Sequence, residues 1–230
     1  MSSVYLDNNA TTRIDPDVLT AMLPFLTEHF ANPSSSHGMG ETVAAAVHRA
    51  RGQVRALIGA AADREIVFTS CGTESDNTAV LAALEARPDR RKIVISAVEH
   101  PAMLAFCEHL RRTRGIVVER IPVDRHGRLD RFAYARALGS GTALVSIMWA
   151  NNETGTVFPI AELAQEAHAC GALFHTDAVQ AAGKTPIAVD GTKIDMLSLS
   201  GHKFHAPKGV GALYVRKGLT LAPLLHGGKQ

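Results

Sequence analysis

The sequence predicts an α/β protein: a mostly parallel sheet with helices on both faces. From about Glu65 onward, short apolar runs of strand length alternate with longer segments of helical periodicity, the signature of strands joined by helical crossovers. The strand runs are apolar through their centres, as in Lys92-Ile-Val-Ile-Ser96, so both sheet faces are expected to be covered. An apolar content of 46% with 20% charged residues is that of a globular chain, and 230 residues suffice for one large domain or two small ones.

The elements follow in order. Val4 to Thr12 reads as a short extended arm ending in polar turn residues. Asp15-Pro16 opens a helix expected to reach about Phe30, with proline at the first position, where a missing N–H costs nothing. Ala31 to His37 is loop, and Gly40 to Ile58 carries Val43, Ala46, Val47, Ala50, Val54 and Leu57 at helical spacing. Strands are then expected at Glu65–Thr69, Lys92–Ser96, Val117–Ile121, Ala143–Met148, Ala172–His175, Ile194–Leu199 and Val210–Val215. Helices are expected at Thr73–Ala86, Pro101–Arg114, Leu129–Leu138 and Ile160–Cys170. No internal repeat, low-complexity tract or linker is evident. The organisation expected is an N-terminal arm, residues 1–15, and one domain, residues 16–230.

Charge and cysteine content narrow the function. Twenty-four basic against 22 acidic residues give a net charge of +2, too little to suggest nucleic acid as a partner. Cys71, Cys107 and Cys170 are scattered and odd in number, which points to a reducing compartment and not to a disulfide framework. The N-terminus has no signal-peptide pattern, and no apolar run approaches the ~20 residues of a membrane helix. A cytoplasmic protein is expected. Cys107 with His109, or His168 with Cys170, lie two apart on helices and form no metal-ligand spacing.

In open parallel sheets, ligands bind beyond the carboxyl ends of the strands. Five strand ends carry polar residues at that edge: Cys71-Gly72-Thr73, Glu99-His100, Asn151-Asn152-Glu153, Asp177 and Ser200-Gly-His-Lys203. Lys203 leaves an apolar strand, a setting that lowers an amine's pKa toward nucleophilic use and Schiff-base formation with a carbonyl cofactor. Gly72 and Thr73 sit where a strand turns into a helix, whose free N–H groups favour an anion; capping by Thr73 and Asp76 explains the same residues without a ligand. Asp177 is either a helix cap or the partner of a heterocyclic nitrogen, with Gln180 three residues on able to donate to an oxygen of the same ring. His100 is placed to stack on a flat ring and relay protons. Asn151 and Asn152 suit a carboxylate or ring oxygen, or simply a turn. Neither a Walker A loop nor a GxGxxG fingerprint is present.

Seven ordered blocks then carry a resemblance: Tyr5-Leu-Asp-Asn-Asn-Ala-Thr-Thr12, Asn32-Pro-Ser-Ser-Ser-His37, Phe68-Thr-Ser-Cys-Gly-Thr-Glu-Ser-Asp-Asn77, Val98-Glu-His-Pro-Ala102, Met148-Trp-Ala-Asn-Asn-Glu-Thr-Gly-Thr156, His175-Thr-Asp-Ala-Val-Gln180 and Ser200-Gly-His-Lys-Phe-His-Ala-Pro-Lys-Gly209. Together they resemble the cysteine desulfurases, pyridoxal-phosphate (PLP) enzymes of fold type I in the class V aminotransferase group, above all the nitrogen-fixation type. The resemblance implies that Lys203 bonds the PLP aldehyde, Asp177 pairs with the pyridine nitrogen and Gln180 meets the phenolic oxygen. It further implies that Gly72, Thr73, Ser200 and His202 hold the phosphate, that His100 stacks on the ring, and that Asn152 meets the ring oxygen or the substrate carboxylate. Lys208 matches another family lysine, and Ser200 stands where some relatives carry cysteine.

The implied reaction converts L-cysteine to L-alanine and passes sulfur to an enzyme persulfide for iron–sulfur cluster assembly. The implied partners are a second copy of the chain and a scaffold or other sulfur-acceptor protein. By the same resemblance, the substrate-clamping arginine, the nucleophilic cysteine and a small C-terminal domain are expected beyond Gln230, and Cys71, Cys107 and Cys170 do not match that cysteine. Cys71 is expected to be a small buried thiol. The chain alone is therefore expected to release little sulfur. A selenocysteine lyase, another class V aminotransferase, or a non-catalytic PLP-domain fragment are the alternatives.

Overall fold

The computed structural model describes residues 3–221 and 223–227. Helix α1 (Pro16–Thr27) begins as its sequence dictates: Asp15 Oδ1 accepts from the Asp17 N–H at 2.8 Å, and Pro16 fills the first position. It ends three residues short of Phe30. Helix α2 (Gly38–Leu57) is capped by His37 Nδ1, which accepts from the Gly40 N–H at 3.3 Å.

Beyond them the alternation unfolds as β1 (Ile66–Thr69), α3 (Gly72–Ala86), β2 (Lys92–Ser96), α4 (Pro101–Arg114), β3 (Val117–Ile121), α5 (Arg131–Ala137) and β4 (Thr142–Ser146). It continues as α6 (Ile160–Ala169), β5 (Leu173–Asp177), β6 (Met196–Ser200) and β7 (Gly211–Val215). The order across the sheet is β1-β7-β6-β5-β4-β2-β3. β7 is antiparallel to both of its neighbours, and the other pairings are parallel. The expected parallel sheet is therefore present with one reversed strand.

Alternating strand residues divide the core. Ile93 and Ile95 of β2 face α3 and α4, where they meet Met103, Cys107 and Leu110. Val94 points the other way, into the cluster of Tyr134, Phe174 and Leu163 that lies under α5 and α6. Fully burying one such side chain contributes about 1.5–3 kcal/mol, and the strands β4 to β7 are buried at every position. α3 lies across the middle of the sheet, with Ser75, Asp76, Ala79, Val80, Ala82 and Ala83 all buried. That places its first turn over the carboxyl ends of the central strands.

Two strands reach further toward that edge than their apolar runs suggest. β5 extends through Thr176 and Asp177, and β6 through Ser200. Polar residues end an apolar run in the sequence, but the backbone ladder continues, with His175 paired to Met196 and Asp177 to Ser198. Helix α5 is shorter than expected because Asp130 Oδ1 accepts from the Ala133 N–H at 2.9 Å and so caps it late.

Candidate active site

A cavity of about 650 Å³ opens at the carboxyl edge of the sheet, within the range of small-molecule sites. Lys203, His100, Asp177, Gly72, Thr73, Asn152, Gln180, Ser200 and His202 all line it. Because β1, β2, β4, β5 and β6 run in one direction, their carboxyl ends deliver these side chains to a single place.

Gly72 and Thr73 open α3. The residue before them, Cys71, is extended and makes no side-chain cap, so helix capping by Thr73 and Asp76 is not what these residues do. The Glu74 carboxylate instead reaches back and accepts from the Ser70 N–H at 2.7 Å. The forward N–H groups of α3 are thus open to an anion. Gly72 is required by space: a Cβ there would lie 2.9 Å from Val179 Cγ2. Cys71 is half-exposed at the cavity wall, and its sulfur accepts a long hydrogen bond from Ser70 Oγ at 3.6 Å. The small buried thiol expected there is corrected accordingly; the expectation overlooked that a residue just ahead of a helix start faces the ligand edge.

Asp177 ends β5, buried, with Oδ1 accepting from the Val179 N–H at 2.9 Å. Burial pushes its carboxyl up, while that N–H, His100 and Lys203 pull it back. A buried acid of this kind favours a cation beside it. Beneath it lies His175, fully buried between Ser146 Oγ at 2.8 Å and Ser198 Oγ at 2.9 Å. Burial pulls that imidazole down to about 3, so it is neutral.

Lys203 closes a one-turn helix after β6 (Gly201–Lys203), where burial lowers its amine while Asp177 and Asp7 raise it. Its Nζ donates to the carbonyl oxygens of Asn9 at 2.5 Å and Ala10 at 3.0 Å. The same arm is stitched down further along: Thr12 N–H donates to the His202 carbonyl at 2.8 Å, and Thr12 Oγ1 accepts from the His205 N–H at 2.7 Å. His205 adopts a positive φ of 68° there, a conformation that histidine tolerates better than most residues. Thr11 Oγ1 meets His202 Nδ1 at 3.1 Å.

His100 caps α4, its Nδ1 accepting from the Ala102 N–H at 3.1 Å, which leaves Nε2 as the nitrogen it can offer to the cavity. The two asparagines separate. Asn151 is a turn residue, its Oδ1 accepting from the N–H groups of Glu153 and Thr154, whereas Asn152 lines the cavity with its Nδ2 on Glu153 Oε1 at 2.7 Å.

Sequence reasoning missed the contribution of the arm, Asp7, Asn9 and Ala10, and that of Asp76. Asp76 is 1% exposed, lines the cavity and has an oxygen, Oδ1, without a hydrogen-bond partner, 3.7 Å from His175 Nε2. Burial first, then Asp177, hold its carboxyl well above the usual range. A signal was available: Asp76 shares a helix face with Ala79, Val80 and Ala83, an acid inside an apolar stripe. The arm gave no such sign, since its contacts span some 190 residues.

An amine, a buried acid and an uncapped helix start on one edge of a mostly parallel sheet define the class. The chain belongs to the aminotransferase class-V family, whose profile matches residues 4–230. Among curated relatives, it is 64% identical over its full length to a cysteine desulfurase of Cereibacter sphaeroides, of which it covers 59%. It is 56% identical to the cysteine desulfurase NifS of Azotobacter vinelandii, of which it covers 57%. In fold it matches a NifS-like protein with a TM-score of 0.94 and 40% identity, over 99% of this chain and 62% of that one. A structure of SspA in complex with cysteine matches with a TM-score of 0.93 and 38% identity, over 98% of this chain and 65% of that one. The chain thus spans under two thirds of the length of these proteins.

Proposed function

We propose that the chain is the PLP-binding large domain (residues 16–230, with residues 1–15 as its arm) of a cysteine desulfurase that converts L-cysteine to L-alanine and hands the sulfur on for iron–sulfur cluster assembly. The observation that carries the reading is the placement of Lys203 and Asp177 on the wall of one cavity, in a chain 64% identical to a cysteine desulfurase.

The residues fit the cofactor. Phosphate suits the open start of α3, where Gly72 lets the backbone come close and Ser200 and His202 line the same cavity. Burial gives Asp177 a preference for a cation, which a protonated ring nitrogen satisfies. His100, at the cavity wall, suits the ring face, Gln180 the phenolic oxygen, and Asn152 that oxygen or the substrate carboxylate. When bound, PLP supplies an electron sink for the bond breaking at the substrate's α-carbon.

The chain's own work is then positional and protic. Lys203 Nζ would hold the cofactor's aldehyde carbon, and its free amine would serve as the base for the substrate's α-proton. Burial keeps that amine below its ordinary pKa, which favours the neutral form the task requires. The Asp177 carboxylate keeps the ring nitrogen protonated. Neutral His175, bound by two serines, fixes the floor beneath it. Cys71 lines the cavity whereas Cys107 and Cys170 do not; because Cys71 does not match the nucleophilic cysteine of the resembled family, the thiol that accepts sulfur is proposed to be none of the three.

A homodimer is part of the proposal. α1 buries none of its residues, and Leu19, Leu23, Leu26 and Phe30 are 46%, 48%, 68% and 73% exposed, an apolar face suited to a partner. No described helix is long and apolar enough to cross a membrane, and with its cysteines unpaired the protein is proposed to work in the cytoplasm. The test is to add PLP and L-cysteine and follow the visible absorbance, alanine and sulfide. A cofactor band that changes with L-cysteine, with little sulfide released, is expected. A band indifferent to cysteine would defeat the substrate assignment.

A further inference from the structure

The side-chain amide of Gln180 is held from both ends. Its Oε1 accepts from Lys184 Nζ at 2.8 Å, and its Nε2 donates to the Asn9 carbonyl at 2.9 Å. A primary amide can turn over and exchange its donor and acceptor ends, so neighbours decide its sense. Here they leave no choice: an ammonium can only donate and a carbonyl can only accept.

Lys184 lies outside the cavity, four residues beyond Gln180, on the turn that follows β5. Among the described residues it has no carboxylate partner, and its ammonium makes this one side-chain hydrogen bond. A surface lysine normally keeps its head in water. This one is drawn onto an amide, where burial and the charge of Lys203 lower its pKa. The acidic and lysine side chains that line the cavity itself are Lys203 after β6, Asp177 on β5, Asp76 on α3, Glu153 and Asp7 from the arm.

We propose that Lys184 is a positioning residue: by occupying the Gln180 carbonyl it keeps the amide N–H₂ turned into the cavity, ready to donate to an anionic ring oxygen. With the amide turned over, Oε1 would face that oxygen, and two acceptors would oppose each other across the contact. The inference rests on the PLP reading, in which Gln180 meets the phenolic oxygen.

The experiment loads the chain with PLP and measures two quantities: the PLP dissociation constant and the pH midpoint of the visible absorbance band. It compares the parent with Lys184→Met, Lys184→Arg, Gln180→Ala and the Lys184→Met/Gln180→Ala double variant. Gln180→Ala is expected to weaken PLP by about threefold to tenfold, the size of one hydrogen bond, and to move the midpoint. Lys184→Met should reproduce most of both effects, Lys184→Arg should stay near the parent, and the double variant should add nothing to Gln180→Ala. The proposal is overturned if Lys184→Met behaves as the parent while Gln180→Ala does not, in which case the cofactor reading stands. It is equally overturned if the Lys184→Met effect persists in full without Gln180, or if Lys184→Arg is as impaired as Lys184→Met. If PLP binds and Gln180→Ala changes nothing, the role given to Gln180 fails, and this inference with it.

Discussion

Lys203 Nζ lies 2.5 Å from the carbonyl oxygen of Asn9, so the amine at the centre of the site is tied to backbone from the opposite end of the chain. The Ala10 carbonyl takes a second bond from the same nitrogen at 3.0 Å. An amine that attacks an aldehyde needs its lone pair and a clear approach, so the arm has to loosen its hold as Lys203 engages. The lysine and the arm should therefore stabilise each other. In Lys203→Ala, hydrogen exchange of the peptide covering residues 4–12 should become several-fold faster, while the core strands β4 and β5 exchange as before. Unchanged arm exchange would mean that these bonds hold nothing in solution.

The space at Gly72 gives a second prediction. A methyl group there would meet Val179 Cγ2 at 2.9 Å, whereas at Gly38 it would meet nothing within 4 Å. Gly72→Ala should cost about 1–3 kcal/mol of stability, as overpacking does, and should weaken PLP binding because the backbone cannot approach its phosphate as closely. Gly38→Ala is the control and should do neither. Denaturant melts and a PLP titration of both variants check this.

A third prediction concerns pH. Glu99 is buried, with Oε1 accepting from Ser96 Oγ at 2.5 Å and the Met148 N–H at 3.0 Å, and with Oε2 unpartnered. Burial raises its carboxyl from the usual 4.5 to about 8. The folded chain keeps this proton where the unfolded chain has released it. The stabilisation is thus complete below about pH 4.5, fades as pH rises and is gone above about pH 8. Glu99→Gln is neutral throughout, so its stability relative to the parent should climb across that window by on the order of a few kcal/mol. The neutral, buried His175, whose contribution fades in the opposite sense as pH falls from 6.5 toward about 3, is common to both proteins and cancels. Parallel urea unfolding curves at several pH values test this; a constant difference would contradict it.

How much of this was legible beforehand depended on distance along the chain. Asp177 ends an apolar strand, and Gly72, His100, Asn152 and Lys203 come three to six residues after one; parallel topology alone carries such residues to one edge. The reversal of β7 left no local trace, because a strand buried on both faces reads the same in either direction. Nor could the segment Tyr5 to Thr12 be seen to cover Lys203, since nothing in an extended polar run names the surface it lies on. Asp76 was misjudged for a different reason: at a helix start an acid is usually a cap, and only the packing of α3 on the sheet exposes it as a buried carboxyl. The orientation of Gln180 required both of its partners, one four residues away and the other 171.

The central claim is that one amine binds PLP. The direct measurement is to incubate the purified chain with PLP, reduce the product with borohydride and map the modified lysine by peptide mass. The account predicts stoichiometric modification confined to Lys203 and a visible absorbance band that Lys203→Ala abolishes. A label spread over surface lysines, or centred on Lys184 or Lys208 with the band intact in Lys203→Ala, would contradict it.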